Sequence, residues 1–361
     1  MNTPIPMVDT VAEYRAFKDE IDTAFGRVMG SGRFVLGPEG EAFEREIAVY
    51  TGARHAVGVN SGTDALHLAL VAAGIGPGDE VIIPSFTFFA TGEAVSYTGA
   101  KPVFADVDAK TFNLDPKSLR ITKKTRAIIV VHLFGQCADL EAIAKICKDR
   151  KLVLIEDCAQ ALGAEYQGVK AGAWGDFGCF SFYPTKNLAA AGDAGLVTAK
   201  EQKHDEMLRM LRHHGSRKTY LHERVGWNSR LDELQAALLR IKLRRLDELN
   251  AARRKVAARY RERLAGTKLA LPVEDPRGTH VYHQFTIKSA KRDAIREALG
   301  REGIASSIFY PMPLHRQPAY ASKVSLPVSE KVAKTVLSLP IHPYLESGAV
   351  DRVCEALKAA A

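Results

Sequence analysis

The chain has 361 residues, 46% of them apolar and 25% charged, with a formal net charge of +8. This is the balance of an ordinary globular protein, long enough for one large domain and a smaller partner. No apolar run reaches the roughly 18 residues that span a bilayer, and no nucleic-acid motif accompanies the basic charge, so the expected partner is an anionic small molecule, with no nucleic acid and no membrane.

The N-terminal stretch MNTPIPMVDTVAEYRAFKDE lacks the basic start and apolar core of a signal peptide, which predicts a cytoplasmic protein. Residues 1–30 are read as a helical segment packing with the small domain, 31–245 as the large domain and 246–361 as a small α+β domain. From about residue 51 to 198, β-rich runs alternate with helical ones. HAVGVN (55–60) reads as a strand and SGTDALHLALVAAG (61–74) as a helix that Ser61 can cap and Gly74 can end. EVIIP and KPVFADVD read as further strands, with SFTFFAT between them.

AIIVVHLFG, the helix DLEAIAKICKDR and the strand LVLIEDCAQ form a βαβ unit, with Leu140, Ile143, Ala144 and Cys147 on one helical face. Buried strands between helices predict an α/β fold with a mainly parallel sheet covered on both sides. Ligands of such sheets bind beyond the strand C-terminal ends. After Leu231 a long charged amphipathic stretch follows, LDELQAALLRIKLRRLDELNAARRKVAARYRERLAG, whose basic run from about Arg253 to Leu264 reads as a solvated helix face. VYHQFTIKS and ASSIFYP are strand-like, and KRDAIREALGREG is helical. Five scattered cysteines (137, 147, 158, 179, 354) without a Cys-x-x-Cys pair predict reduced thiols, no disulfide and no structural metal.

Three strand ends collect polar residues. At Asn60-Ser61-Gly62-Thr63-Asp64 a strand turns into a helix, which makes an anion site or an ordinary N-cap. Glu156 and Asp157 close a buried strand, so one of them needs a cationic partner or a cleft. A structural ion pair is the plain alternative. Lys186, in SFYPTKNLAAAGDAG, follows an aromatic strand. An amine in that setting loses basicity and attacks aldehydes. Together the three ends suit pyridoxal 5′-phosphate, with its phosphate, aldehyde and basic ring nitrogen, and Phe88 supplies a ring to stack on it.

The motifs NSGTDAL, PSFTFFAT, EDCAQALGA, SFYPTKNL, GDAG, GWNSRLDELQAA and FYPMPLHRQPAY occur in an order that resembles the DegT/DnrJ/EryC1/StrS sugar aminotransferases, a fold-type I pyridoxal-phosphate family. The resemblance implies that Lys186 forms the Schiff base and Asp157 meets the pyridine nitrogen. It further implies that Gln160 meets the ring hydroxyl, Phe88 stacks, and Gly62, Thr63 and Ser181 hold the phosphate. Asn228 would reach the cofactor of a neighbouring subunit, making a homodimer part of the active site. Related dehydratases have a histidine at the Lys186 position, so lysine favours transamination.

The reaction implied passes an amino group from L-glutamate to C3 of a nucleotide-diphosphate sugar. A dTDP-3-oxo-6-deoxyhexose is the first expectation and UDP-2-acetamido-3-oxo-glucuronate the second. A 4-oxo sugar, a nicotinamide oxidoreductase and a non-catalytic regulator are the remaining readings. His214, Arg217, Arg230, Tyr183 and Tyr310 are candidate substrate contacts. Each has a bland reading as a solvated or structural residue. Phe309 stands where many relatives have histidine.

Overall fold

The sheet predicted from the alternation of strands and helices is present in the computed structural model, which describes residues 3–218 and 220–360. Its strands are β1 (His55–Val59), β2 (Glu80–Pro84), β3 (Lys101–Ala105), β4 (Thr125–Val131), β5 (Val153–Asp157), β6 (Phe177–Ser181) and β7 (Gly195–Ala199). They lie in the order β1-β7-β6-β5-β4-β2-β3. All pairings from β3 to β6 are parallel, while β7 runs antiparallel to both β1 and β6. The chain therefore has the mostly parallel α/β architecture expected of it.

Strand side chains alternate between faces, and the apolar residues of this sheet feed two cores. Ile128 and Val130 of β4 join Leu140, Ile143 and Cys147 of helix α5 (Leu140–Arg150), between α4 and β5 in sequence. Ala127 and Ile129 face the other way, towards Leu66 and Leu70 of α3 (Gly62–Ala72) and Ala94 and Val95 of α4 (Phe89–Tyr97). Each such residue contributes about 1.5–3 kcal/mol when fully buried, so both faces must stay covered. Four further helices are α1 (Thr10–Ser31), α2 (Pro38–Thr51), α6 (Gln202–Leu211) and α7 (Glu233–Leu243).

Helix α1 lays Phe17, Ile21, Ala24 and Val28 against Ala237, Leu238 and Ile241 of α7. The segment before it pairs Ile5 with Ile304. A smaller body follows, with α8 (Leu246–Arg263), α9 (Arg292–Arg301), α10 (Pro327–Thr335) and α11 (Ser347–Ala360). Its two-stranded antiparallel sheet joins β8 (Phe285–Lys288) to β9 (Val336–Leu339), over a core that includes Tyr260, Ile295, Leu299 and Val353.

Three sequence readings change here. The charged stretch after Leu231 is two helices, broken by a turn in which Arg245 N–H bonds the Lys242 carbonyl at 3.0 Å. ASSIFYP makes only the Ser307–Ser338 bridge, because Phe309 and Tyr310 are drawn off against the Phe86 and Phe112 cluster. Arg253 is 4% exposed. It shares an inward stripe with Val256, Ala257 and Tyr260 at helical spacing, and so leaves the solvated face assigned to it. The five cysteines are free and buried, as expected. Among the described residues no helix is long and apolar enough to cross a membrane.

Candidate active site

The C-terminal ends of β1, β5 and β6 deliver the three polar groups to one edge of the sheet. Ser61 caps α3, its Oγ accepting from Asp64 N–H at 3.1 Å. Gly62 opens that helix so close to β6 that a Cβ would stand 2.6 Å from the Cβ of Ser181. Gly195 plays the matching part on β7, where a Cβ would meet the Ser61 carbonyl at 2.3 Å. The glycines thus let three backbones converge, and the amides of the α3 N-terminus open beside a serine hydroxyl. That is the chemistry of an anion cradle.

Asp157 ends β5 and is 6% exposed. Its Oδ2 accepts from Thr91 Oγ1 at 2.9 Å and its Oδ1 from Ala159 N–H at 3.2 Å. Burial pushes its carboxyl upward, opposed by those two bonds and by the charge of Lys186. Thr91 was missed in the sequence, although it lies three residues beyond Phe88 in the same motif.

Lys186 sits in the turn after β6, where its N–H bonds the Tyr183 carbonyl at 2.8 Å. Burial lowers its amine to about 8, with Asp157 opposing the shift. Among the described residues the amine has no hydrogen bond or ion pair. An amine so placed is weakly basic, and in their neutral form amines of this kind are nucleophilic.

Gln160 Oε1 accepts from Phe134 N–H at 2.7 Å, so its amide nitrogen points the other way and donates to the Tyr310 hydroxyl at 3.1 Å. The Tyr310 ring lies 6.0 Å from that of Phe88. Phe88 itself is 58% exposed at the start of α4, three residues from Thr91 on Asp157. Phe309 packs beside Tyr310 against apolar neighbours.

Glu156 answers the question of the paired acids. Its four lone-pair positions are filled by His132 Nε2 at 2.9 Å and the N–H groups of Gly172, Trp174 and Gly175 at 3.0, 2.9 and 2.8 Å. His132 Nδ1 accepts from Ala138 N–H, so Nε2 carries the proton. Cys158 lies close enough to complete a metal-like trio, but the carboxylate has nothing left to offer a metal. Glu156 is structural, and Asp157 alone faces the site.

Of the other candidates, Tyr183 belongs to the Lys186 turn and is exposed. His214 and Asn228 are exposed, and Ser229, next to Asn228, donates from its Oγ to Asn60 Oδ1 at 3.2 Å. Arg217 is ion-paired with Glu223 at 3.4 Å. Arg230 contacts His213 at 3.4 Å and has no carboxylate partner among the described residues.

A mostly parallel sheet with a hydrogen-bonded aspartate, a weakly basic lysine and an anion cradle at its strand ends is the arrangement of a fold-type I aminotransferase. The chain belongs to the DegT/DnrJ/EryC1/StrS aminotransferase family, whose model it matches over residues 16–358. It is 48% identical to the UDP-N-acetyl-3-dehydro-alpha-D-glucosamine 3-aminotransferase of Acidithiobacillus ferrooxidans, covering 99% of this chain and 98% of that protein. It is 47% identical to the dTDP-3-amino-3,4,6-trideoxy-alpha-D-glucose transaminase of Streptomyces venezuelae, over 98% and 95% of the two chains. The crystal structure of S. venezuelae DesV in complex with a ketimine intermediate superposes with a TM-score of 0.97 at 47% identity, over 99% of each chain.

Proposed function

We propose that the protein is a pyridoxal-phosphate-dependent aminotransferase that moves an amino group from L-glutamate to C3 of a nucleotide-linked 3-oxo sugar. The observation that carries this reading is the unpaired Lys186 amine, lowered to about 8 and electrostatically coupled to Asp157. Solved relatives with bound cofactor forms support it.

The residues present fit the cofactor. Gly62, Thr63 and Ser181 offer the amides and hydroxyl a phosphate requires. Asp157, buried and disfavoured as an anion, gains a partner in a protonated ring nitrogen. Gln160 keeps a second amide N–H beyond the one it donates to Tyr310, and Phe88 offers an aromatic face. When bound, the cofactor supplies an electrophilic carbon and a ring that takes up electrons. Lys186 would hold it covalently between turnovers. Once freed by glutamate, Lys186 takes the proton from the α-carbon as a neutral amine and returns it as an ammonium, then repeats the sequence in reverse with the keto sugar.

The curated relatives act on both UDP- and dTDP-linked sugars. Our first substrate is the dTDP-3-oxo-6-deoxyhexose and the second UDP-2-acetamido-3-oxo-glucuronate, whose carboxylate would meet Arg230, a cation with no carboxylate partner among the described residues. Asn228 is exposed, and a few residues before it in the chain Tyr220, Leu221 and Val225 are exposed apolar residues. This supports a homodimer in which Asn228 enters the other subunit's site. Free, buried thiols are in keeping with cytoplasmic action.

Purified protein is expected to be yellow, and borohydride should bleach it and fix the cofactor to Lys186. A Lys186→Ala variant that still aminates sugars would sink the assignment. Glutamate-dependent assays on dTDP- and UDP-linked 3-oxo sugars then choose the substrate, and turnover of a 4-oxo sugar alone would overturn the C3 assignment.

A further inference from the structure

A small pocket adjoins the turn that carries Lys186. Its walls include Thr10 and Glu13 of α1, Lys186, Arg253 of α8, and His342 and Tyr344 beyond β9. None of Asp157, Gln160 or Ser181 borders it. Its free volume is about 20 Å³, room for one or two water molecules.

Three of the residues lining this space carry buried polar atoms without partners. His342 and Arg253 are each 4% exposed. Both ring nitrogens of His342, the Nε of Arg253 and the hydroxyl of Tyr344 lack any hydrogen-bond partner among the described residues. Arg253 spends one amino group on the Ile341 carbonyl at 2.9 Å, yet forms no ion pair there. Glu13 is already engaged by Lys242 at 3.2 Å. Buried polar groups are nearly always satisfied, and each orphan costs about 1–3 kcal/mol. Donors and acceptors are both represented, as water requires. An anion is disfavoured because Asp9 and Glu13 share the wall. Thr10 is exposed, so the pocket reaches the surface.

We propose that ordered water fills this pocket and joins Lys186 to bulk solvent by a route that avoids the substrate side. Burial holds His342 neutral, near 4, so one ring nitrogen donates and the other accepts across pH 6–9. The exchange is balanced: the Lys186 ammonium releases one proton to water and takes another back, with no net change. A proton lifted from substrate by Lys186 is thereby diluted with solvent protons before it is returned. This inference rests on Lys186 being the proton carrier in transamination.

The test is a single half-reaction of the cofactor-loaded protein with α-deuterated L-glutamate in ordinary water. Mass spectrometry reads the deuterium retained on the aminated cofactor. The Lys186 amine brings two protons of its own, so return without solvent exchange keeps deuterium at most about one time in three, and the wild type should retain well below that. His342→Phe and Tyr344→Phe, which remove polar groups of two lining residues, should each retain several-fold more, approaching that third, while still completing the half-reaction. Tyr344→Phe deletes a single oxygen and stays informative if the histidine variant fails to fold. Equal retention in wild type and variants, or retention of about a third in the wild type, overturns the water route. Failure of the wild type to aminate its cofactor would instead count against the transaminase reading itself.

Discussion

The Asp157 carboxylate and the Lys186 amine oppose the shifts that burial imposes on each other. Desolvation drives the acid up and the amine down, and each charge pulls the other back. Neither is set by its own surroundings alone. Asp157→Asn should therefore lower the Lys186 pKa below its present value of about 8 and leave the ring nitrogen without a counter-charge. Sugar amination should fall by roughly 10²–10³-fold, the scale for loss of a preorganised electrostatic contact. Stopped-flow rates of the glutamate half-reaction measure it.

The lysine also carries a stability signature. Its folded pKa of about 8 lies below the ordinary 10.5, so between those values the unfolded chain binds more protons. Wild-type stability should then rise with pH from about 8 to 10.5, and below about 8 the full penalty is present. Lys186→Met, tested without cofactor, should be more stable than wild type at pH 7 by roughly 1–3 kcal/mol. That advantage should shrink as pH rises through the window. Urea midpoints at pH 7, 9 and 10.5 provide the check.

Gly62→Ala probes the cradle. The added Cβ would lie 2.6 Å from the Ser181 Cβ, so the end of α3 must move away from β6. Overpacking on this scale costs about 1–3 kcal/mol. If that falls on the phosphate contacts, cofactor binding weakens by about 10–100-fold. Titration of the apoprotein with pyridoxal 5′-phosphate, followed by absorbance, reads the change directly.

Glu156→Gln tests whether the neighbouring acid is structural. The amide cannot accept bonds at its nitrogen, so two of the four donors around Glu156 lose their acceptor. A loss of about 2–4 kcal/mol is expected, measured by urea unfolding. Chelators should leave the wild-type melting temperature unchanged, since the carboxylate is saturated without a metal.

Hybrid dimers test the shared site. Lys186→Ala and Asn228→Ala homodimers should both be poorly active. Mixing and reassociating them should restore roughly a quarter of wild-type activity, because half the dimers are hybrids with one intact site each. Activity in the mixture no higher than the mean of its parents would show that Asn228 acts only within its own chain.

Most of the sheet and its cores could be read from the sequence, because β-rich and helical stretches alternate in the order the fold uses. The three polar strand ends were legible for the same reason: sheet topology carries them to one edge wherever they stand in the chain. What escaped were contacts fixed by tertiary packing. Thr91 is an ordinary helix residue until Asp157 arrives beside it. Glu156 and Asp157 are indistinguishable in a string, and only the N–H groups of Gly172, Trp174 and Gly175 separate their roles. Arg253 looked solvated because its neighbours Arg254 and Lys255 are basic too. Its spacing to Val256, Ala257 and Tyr260 was the available sign that it turns inward.

The antiparallel strand β7 has a consequence for synthesis. Strand β1 is made early, yet its only strand partner in the sheet is β7, with Val59 opposite Gly195. Every residue between them must leave the ribosome before β1 can dock. Such long-range closure is slow and leaves an unpaired edge exposed meanwhile. The convergence of β1, β6 and β7 at Gly62, Ser181 and Gly195, proposed above as the phosphate cradle, is therefore among the last features of the sheet to form. A nascent chain stopped short of Gly195 would own its lysine and its aspartate but lack that proposed phosphate seat.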